Sequence, residues 1–164
     1  MQPCDVRVQL VDDCNRPAGS ARRREMRRLR MWHRAAYIFV LDARGRLCVQ
    51  RRTRIKDIFP GRRDLCAGGV VDAGESMARA ARRELREELG LCLPLRYCLE
   101  QRFDHGMNAF GSVYLANYRN EVLTLQPEEV ASVAWHSIDE ALTLEDATPD
   151  SRQALIALRE QGFL

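Results

Sequence analysis

The stretch GVVDAGESMARAARRELREELGL, residues 69–91, decides how this chain is read. An α-helix turns about 100° per residue. Glu84, Glu87 and Glu88, at i, i+3 and i+4, therefore share one face. Ala78, Ala81, Leu85 and Leu89 form an adjoining apolar stripe suited to packing on a sheet, which leaves Glu88 at the helix surface. The pattern predicts a helix over 75–89, with Gly90 as its stop. Three carboxylates this close repel one another, and hard oxygen donors at this spacing suit a divalent cation such as Mg²⁺. A solvated acidic face with arginine partners has the same spacing, and the helix by itself leaves both readings open.

Outward from this helix the chain alternates apolar runs with turn signals. Residues 6–11 alternate apolar and polar, as a half-buried strand does. Asp12, Asp13, Asn15 and Pro17 supply a turn. Residues 20–30 (SARRREMRRLR) read as a helix with Ser20 as its cap. The run AAYIFVL at 35–41 reads as a buried strand, a turn follows at 42–45, and RLCVQR at 46–51 returns. Further strands are predicted at 95–103, 111–118 and 130–135. Thr148 and Pro149 open a last helix, with Pro149 at its first position. Strands around one central helix, with helices at both ends, predict an α/β (α+β) fold with a mixed sheet covered on both faces. The predicted organisation is an N-terminal strand and arginine-rich helix, 1–30, packed on a main domain, 31–164.

The 164 residues suffice for one core. No apolar run is long enough to span a bilayer and no secretory signal is visible, so the cytoplasm is the expected location. Six cysteines occur without a C-x-x-C pair, which argues against a zinc knuckle and for free thiols. Lys56 is the only lysine among 26 basic residues, yet the net charge is only +3. An arginine-rich surface for nucleic acid is one reading. With acidic residues nearly as numerous, a codon bias of the genome is the plainer one, and nucleic acid is not the expected partner.

The central stretch resembles the Nudix box, G-x5-E-x7-R-E-U-x-E-E-x-G-U with U apolar, at every position. The matching residues are Gly69, Glu75, Arg83, Glu84, Leu85, Glu87, Glu88, Gly90 and Leu91. With seven fixed residues at background frequencies near ~5%, a chance match is on the order of one in a billion per starting position. The resemblance implies a Nudix-type α/β/α sandwich and a pyrophosphohydrolase that cleaves a diphosphate linkage in a nucleoside diphosphate derivative or similar small molecule. It implies that Glu84, Glu87 and Glu88, joined by the Gly69 carbonyl, hold Mg²⁺ (or Mn²⁺). Glu84 and Glu88 are the catalytic carboxylates it points to, with Arg83 orienting the glutamates against Glu75. A homodimer is the family-level expectation for assembly.

A second resemblance, to the branch containing isopentenyl diphosphate isomerase, covers HRAAYIFV at 33–40, QRRTRIKDIFPG at 50–61, and Glu128, Glu129 and Trp135. It places Arg51, Arg52 and Lys56 beside the site, either neutralising a substrate diphosphate or forming an ordinary edge-strand surface. Glu128 and Glu129 stand where a distal base would come from. His33 reads as a packed histidine. The isomerase's essential cysteine falls on Gly68 and its histidine on Val70, and Cys66 is two places off. Its downstream glutamates fall near Asn108 and Phe110. Without a cysteine and an acid there is no proton relay for moving a double bond. The alternatives to hydrolysis are thus an isomerase-like enzyme and a non-catalytic binding module on the same fold.

Overall fold

The computed structural model describes residues 5–164. In chain order the elements are β1 (Arg7–Val11), β2 (Pro17–Arg22), α1 (Arg23–Arg28), β3 (His33–Leu41), β4 (Leu47–Arg52), β5 (Arg63–Asp64) and β6 (Ala67–Val70). Then come α2 (Met77–Leu89), β7 (Arg96–Phe103), β8 (Ala109–Asn117), β9 (Val130–His136), α3 (Ile138–Thr143) and α4 (Pro149–Glu160).

The centre is β3, whose β-branched and aromatic residues suit a strand buried on both faces. It runs parallel to β8 through nine residue pairs, from His33↔Ala109 to Leu41↔Asn117. Along its other edge, Ala35 to Ile38 pair antiparallel with β6. Alternation along β3 sorts its side chains into two cores. Ala36, Ile38 and Val40 pack with Ala81, Leu85 and Leu89 of α2. Ala35, Tyr37 and Phe39 pack with Leu155 and Leu158 of α4 and Ala141 of α3. The result is the expected mixed sheet between helical layers.

The N-terminal segment departs from its prediction. Residues 17–22 form β2, with Ser20 paired to Gln9 across the hairpin and its hydroxyl accepting from Arg7 Nε at 3.0 Å. Helix α1 covers only six residues, and its cap, Arg22, makes no side-chain capping bond. PAGSAR has little intrinsic strand preference, and pairing with β1 overrides the local helix signal. The hairpin is tied to the main domain. Gln9 N–H donates to the Val71 carbonyl, Val11 N–H to that of Trp32, and Leu10 pairs with His33. Val8, Leu10, Ala21, Met26 and Val70 make a third small core beneath it.

Helix α2 starts two residues later than predicted. Ser76 is the cap, its hydroxyl accepting from Arg79 N–H at 3.3 Å, so Glu75 lies outside the helix. Gly90 ends it in the left-handed conformation, φ +70°. The buried set also shifts. Ala80, Ala81, Glu84, Leu85, Glu88 and Leu89 are buried, while Ala78 is half-buried. Among the described residues, no helix is long and apolar enough to cross a membrane.

Candidate active site

Helix α2 lies against β6, and this contact builds the site. A side chain at Gly69 would place its Cβ 2.5 Å from the Glu84 carboxyl carbon. The backbone and the carboxylate therefore approach as closely as they do only because residue 69 is glycine. Gly68 N–H donates to Glu88 Oε2 at 3.2 Å. Both glutamates are buried, at 6% and 5% exposure, which corrects the expectation of Glu88 at the helix surface. Glu87 stays exposed.

Arg83 gathers the acidic groups. Its Nε and Nη2 donate to the two Glu75 oxygens, each at 2.9 Å, in a fork that fits a carboxylate. Nη1 reaches Glu84 at 2.6 Å and Glu87 at 3.4 Å, and Nη2 also donates to the Val70 carbonyl. Burial works against ionised Glu75, but the Arg83 bonds and the Asp72 N–H hold its carboxyl below the usual range. Burial pushes Glu84 up to about 7 despite Arg83. Burial, and the charges of Glu84, Asp64 and Glu129, push Glu88 well above the ordinary carboxylate range, with Lys56 opposing.

Ligand atoms of Glu84, Glu87 and Glu88 do not lie within 4.8 Å of one another. Among the described residues only Asp12, Asp13 and Cys14 do so. That trio belongs to the turn after β1, where Asp12 Oδ1 accepts from the N–H groups of Cys14 and Arg16. The inward pair, Glu84 and Glu88, is the part of the predicted set that converges on Gly68 and Gly69, while Glu87 stays at the rim beside Arg83. Buried carboxylates are strongly disfavoured without a positive partner. Glu88 has none in direct contact, so the hard oxygen donors at this end fit a divalent cation.

Glu84 and Glu87 line a cavity of about 190 Å³, with Arg52, Lys56 and Glu129 across from them. Arg52 donates to Asp64 at 2.9 Å and Lys56 to Glu129 at 2.5 Å. Arg51, predicted beside them, does not line the cavity. Neighbours on a strand point to opposite faces, and Arg51 binds Asp146 at 2.8 Å instead. Of the two predicted distal glutamates only Glu129 lines the cavity. His33 also lines it, with Nδ1 bonded to the Met31 carbonyl and its pKa lowered by burial.

Sequence reasoning missed the floor and one wall. At the floor Asp150 accepts from the Tyr37 hydroxyl at 3.0 Å, and its other oxygen is buried without a hydrogen-bond partner. The wall is Arg23, Met26 and Arg27 of α1. Their i, i+3, i+4 spacing was a usable signal, hidden by arginines on every side of the segment. Gly68 of β6, two residues after Cys66, leaves no room for a side chain. A Cβ there would fall 2.0 Å from the Ala36 carbonyl oxygen, so no cysteine fits at the isomerase position.

The chain is similar to proteins of one family. The model of the NUDIX domain matches residues 31–158. The uncharacterized Nudix hydrolase PA4841 of Pseudomonas aeruginosa is 40% identical over 154 residues, covering 90% of either chain. The uncharacterized Nudix hydrolase YfcD of Escherichia coli is 38% identical over 151 residues, 90% of this chain and 83% of that one. The crystal structure of DR0079 from Deinococcus radiodurans superposes with a TM-score of 0.80 at 26% identity, over 92% of this chain and 98% of that one. With the box intact and its glutamates seated against Gly68 and Gly69, the chain belongs to the Nudix hydrolase family.

Proposed function

We propose that the chain is a divalent-metal-dependent pyrophosphohydrolase of a small phosphorylated molecule. The observation that carries this reading is the buried pair Glu84 and Glu88 against Gly68 and Gly69, with Glu84 lining a cavity that Arg52 and Lys56 also line and Glu88 buried behind it. Glu84, Glu88 and the Gly69 carbonyl would hold Mg²⁺ or Mn²⁺, with Glu87 joining from the rim. The cation supplies polarisation of a phosphoryl oxygen and a lowered pKa for water.

The chain's own residues do the rest. Arg83 fixes Glu84 and ties the loop before α2 to it through Glu75. Arg52 and Lys56 turn toward a substrate diphosphate, sharing their charge with Asp64 and Glu129. The Glu129 carboxylate, which lines the same cavity, would accept a proton from water. An isomerase reading lacks a carrier at Gly68, and a binding-module reading gives no reason for an intact box.

The test is turnover by the purified protein on nucleotide sugars, dinucleotides, nucleoside di- and triphosphates and prenyl diphosphates, with Mg²⁺, with Mn²⁺ and with chelator. Metal-dependent release of a phosphorylated product from at least one class is expected. Metal-independent turnover, or an isomerised product, would overturn the reading.

A further inference from the structure

The arginine-rich segment is the one sequence motif that the hydrolase reading leaves unused. It lies before residue 31, outside the matched family domain. Yet Arg23, Met26, Arg27 and Arg30 all line the cavity that Glu84 enters. Met26 anchors the segment, at 1% exposure in the third core. Asn108 holds its end by donating to the Arg30 carbonyl at 2.8 Å. Arg24 and Arg28, on the outer side of α1, are exposed.

The cations around this cavity are not equivalent. Arg52 and Lys56 are neutralised by half-buried acids. Arg83 is surrounded by carboxylates. Arg23 has no ion-pair partner among the described residues, and its Nε is buried without a hydrogen bond. Arg27 Nη1 is ion-paired at 2.9 Å with Asp57, an acid whose side chain is 60% exposed, and its buried Nε makes no hydrogen bond. Leaving buried donors of a charged group unpaired is costly. Two such guanidinium groups one turn apart on one helix face form a fork that an anion would complete.

We propose that Arg23 and Arg27 form the subsite for a terminal phosphate, so that the substrate is a diphosphate or triphosphate with a free end and not a diphosphate esterified on both sides. This rests on the hydrolase reading of the box and names which end of the substrate lies against α1. The charge argument selects the class. A free terminal phosphate carries up to two negative charges, an esterified one only one. Among the described residues Arg23 has no ion-pair partner, and Arg27 has only an exposed one. Burial, together with the Arg23 and Arg52 charges, lowers the pKa of Arg27 against the pull of Asp57, a cost that a bound dianion would relieve.

The experiment titrates the full chain by calorimetry with methylenediphosphonate and with its P,P′-dimethyl ester, in the presence and absence of Mn²⁺. Wild type should bind the free acid at least ~10-fold more tightly than the ester, the scale of one charged hydrogen-bonding group. Arg23→Gln/Arg27→Gln should lose ~10-fold or more for the free acid and most of the discrimination. Arg24→Gln/Arg28→Gln should match wild type. If the double Gln variant does not fold, Arg23→Gln alone should show part of the loss and Arg23→Lys/Arg27→Lys should retain most binding. The proposal is overturned if wild type binds neither probe, if it does not discriminate, or if Arg23→Gln binds like wild type. Mn²⁺ binding without any anion reports on the hydrolase reading separately. It should be the same in wild type and in the Arg23 and Arg27 variants, and its absence from wild type counts against the box alone.

Discussion

Helices α1 and α2 face one cavity and are held by opposite means. Helix α2 has 13 residues, a serine cap and a left-handed glycine stop. It would have a helical preference even apart from the sheet. Helix α1 has six residues and no capping bond, and exists because β2 leads into it and Met26 is buried beneath it. Their electrical needs are opposite too. Helix α2 presents the buried Glu88 carboxylate with no positive partner in contact, and α1 presents buried guanidinium nitrogens without hydrogen bonds. Residues of both helices line one cavity without an ion pair between them, and the two deficits fit the cation and the anion proposed above. In the proposed reading, the self-sufficient helix carries the chemistry and the dependent one the recognition.

The largest expected effect tests the chemical half. Glu88→Gln should lower kcat by more than the ~100-fold that loss of an outer-shell partner can cost, with the fold kept. Because Glu88 is buried beside Glu84, removing its charge should also raise the melting temperature of the metal-free protein. Turnover within a few-fold of wild type would end the distinction drawn between the helices.

A middle-sized effect is in the pH dependence of stability. Burial raises the Glu84 carboxyl to about 7 and that of Glu88 well above its ordinary value. The folded state therefore binds more protons than the unfolded state between the ordinary carboxylate range and these raised values. Stability from this pair is fully present below the unfolded pKa and is lost as pH rises through the folded one. Metal-free protein should melt at a lower temperature at pH 8 than at pH 5. Mg²⁺ should raise the melting temperature more at pH 8, where the carboxylates are ionised. A melting temperature that climbs over this range without metal would contradict the picture.

The smallest effect compares the caps. Ser76→Ala should cost about 1 kcal/mol in denaturant unfolding, because an Arg79 N–H loses its acceptor. Arg22→Ala, at the cap of α1, should change stability by less than ~0.5 kcal/mol, as no bond is there to lose. Equal losses at the two positions would show that α1 is more self-reliant than its contacts indicate.

The same asymmetry governs what could be read from the sequence. The α2 stretch was legible because its spacing repeats over several turns and its cap and stop are local residues. The strand at β3 was legible from its unbroken apolar run. Strand β6 was not, since Ala67, Gly68, Gly69 and Val70 owe their extended form to pairing with β3. Helix α3 carries a sign readable in the sequence. Ser137 and Glu140 form a capping box, with Glu140 N–H donating to the serine and Glu140 Oε2 accepting from Ser137 N–H. In the site, Glu84 and Arg83 were legible from the box. Arg51 was misplaced because a sequence neighbour of Arg52 is, on a strand, its opposite in space. Asp150 was invisible because it belongs to the site only through contacts far away in sequence.

That last contact sets an order in time. Tyr37 and Asp150 meet across 113 positions. During synthesis the box is complete at residue 91, before Met107, Asn108, Glu129 and Asp150 of the cavity lining have been added. The nascent chain therefore carries every residue of the motif while still missing several residues that line the cavity beside it. Assembly of the pocket waits for the residues of α4.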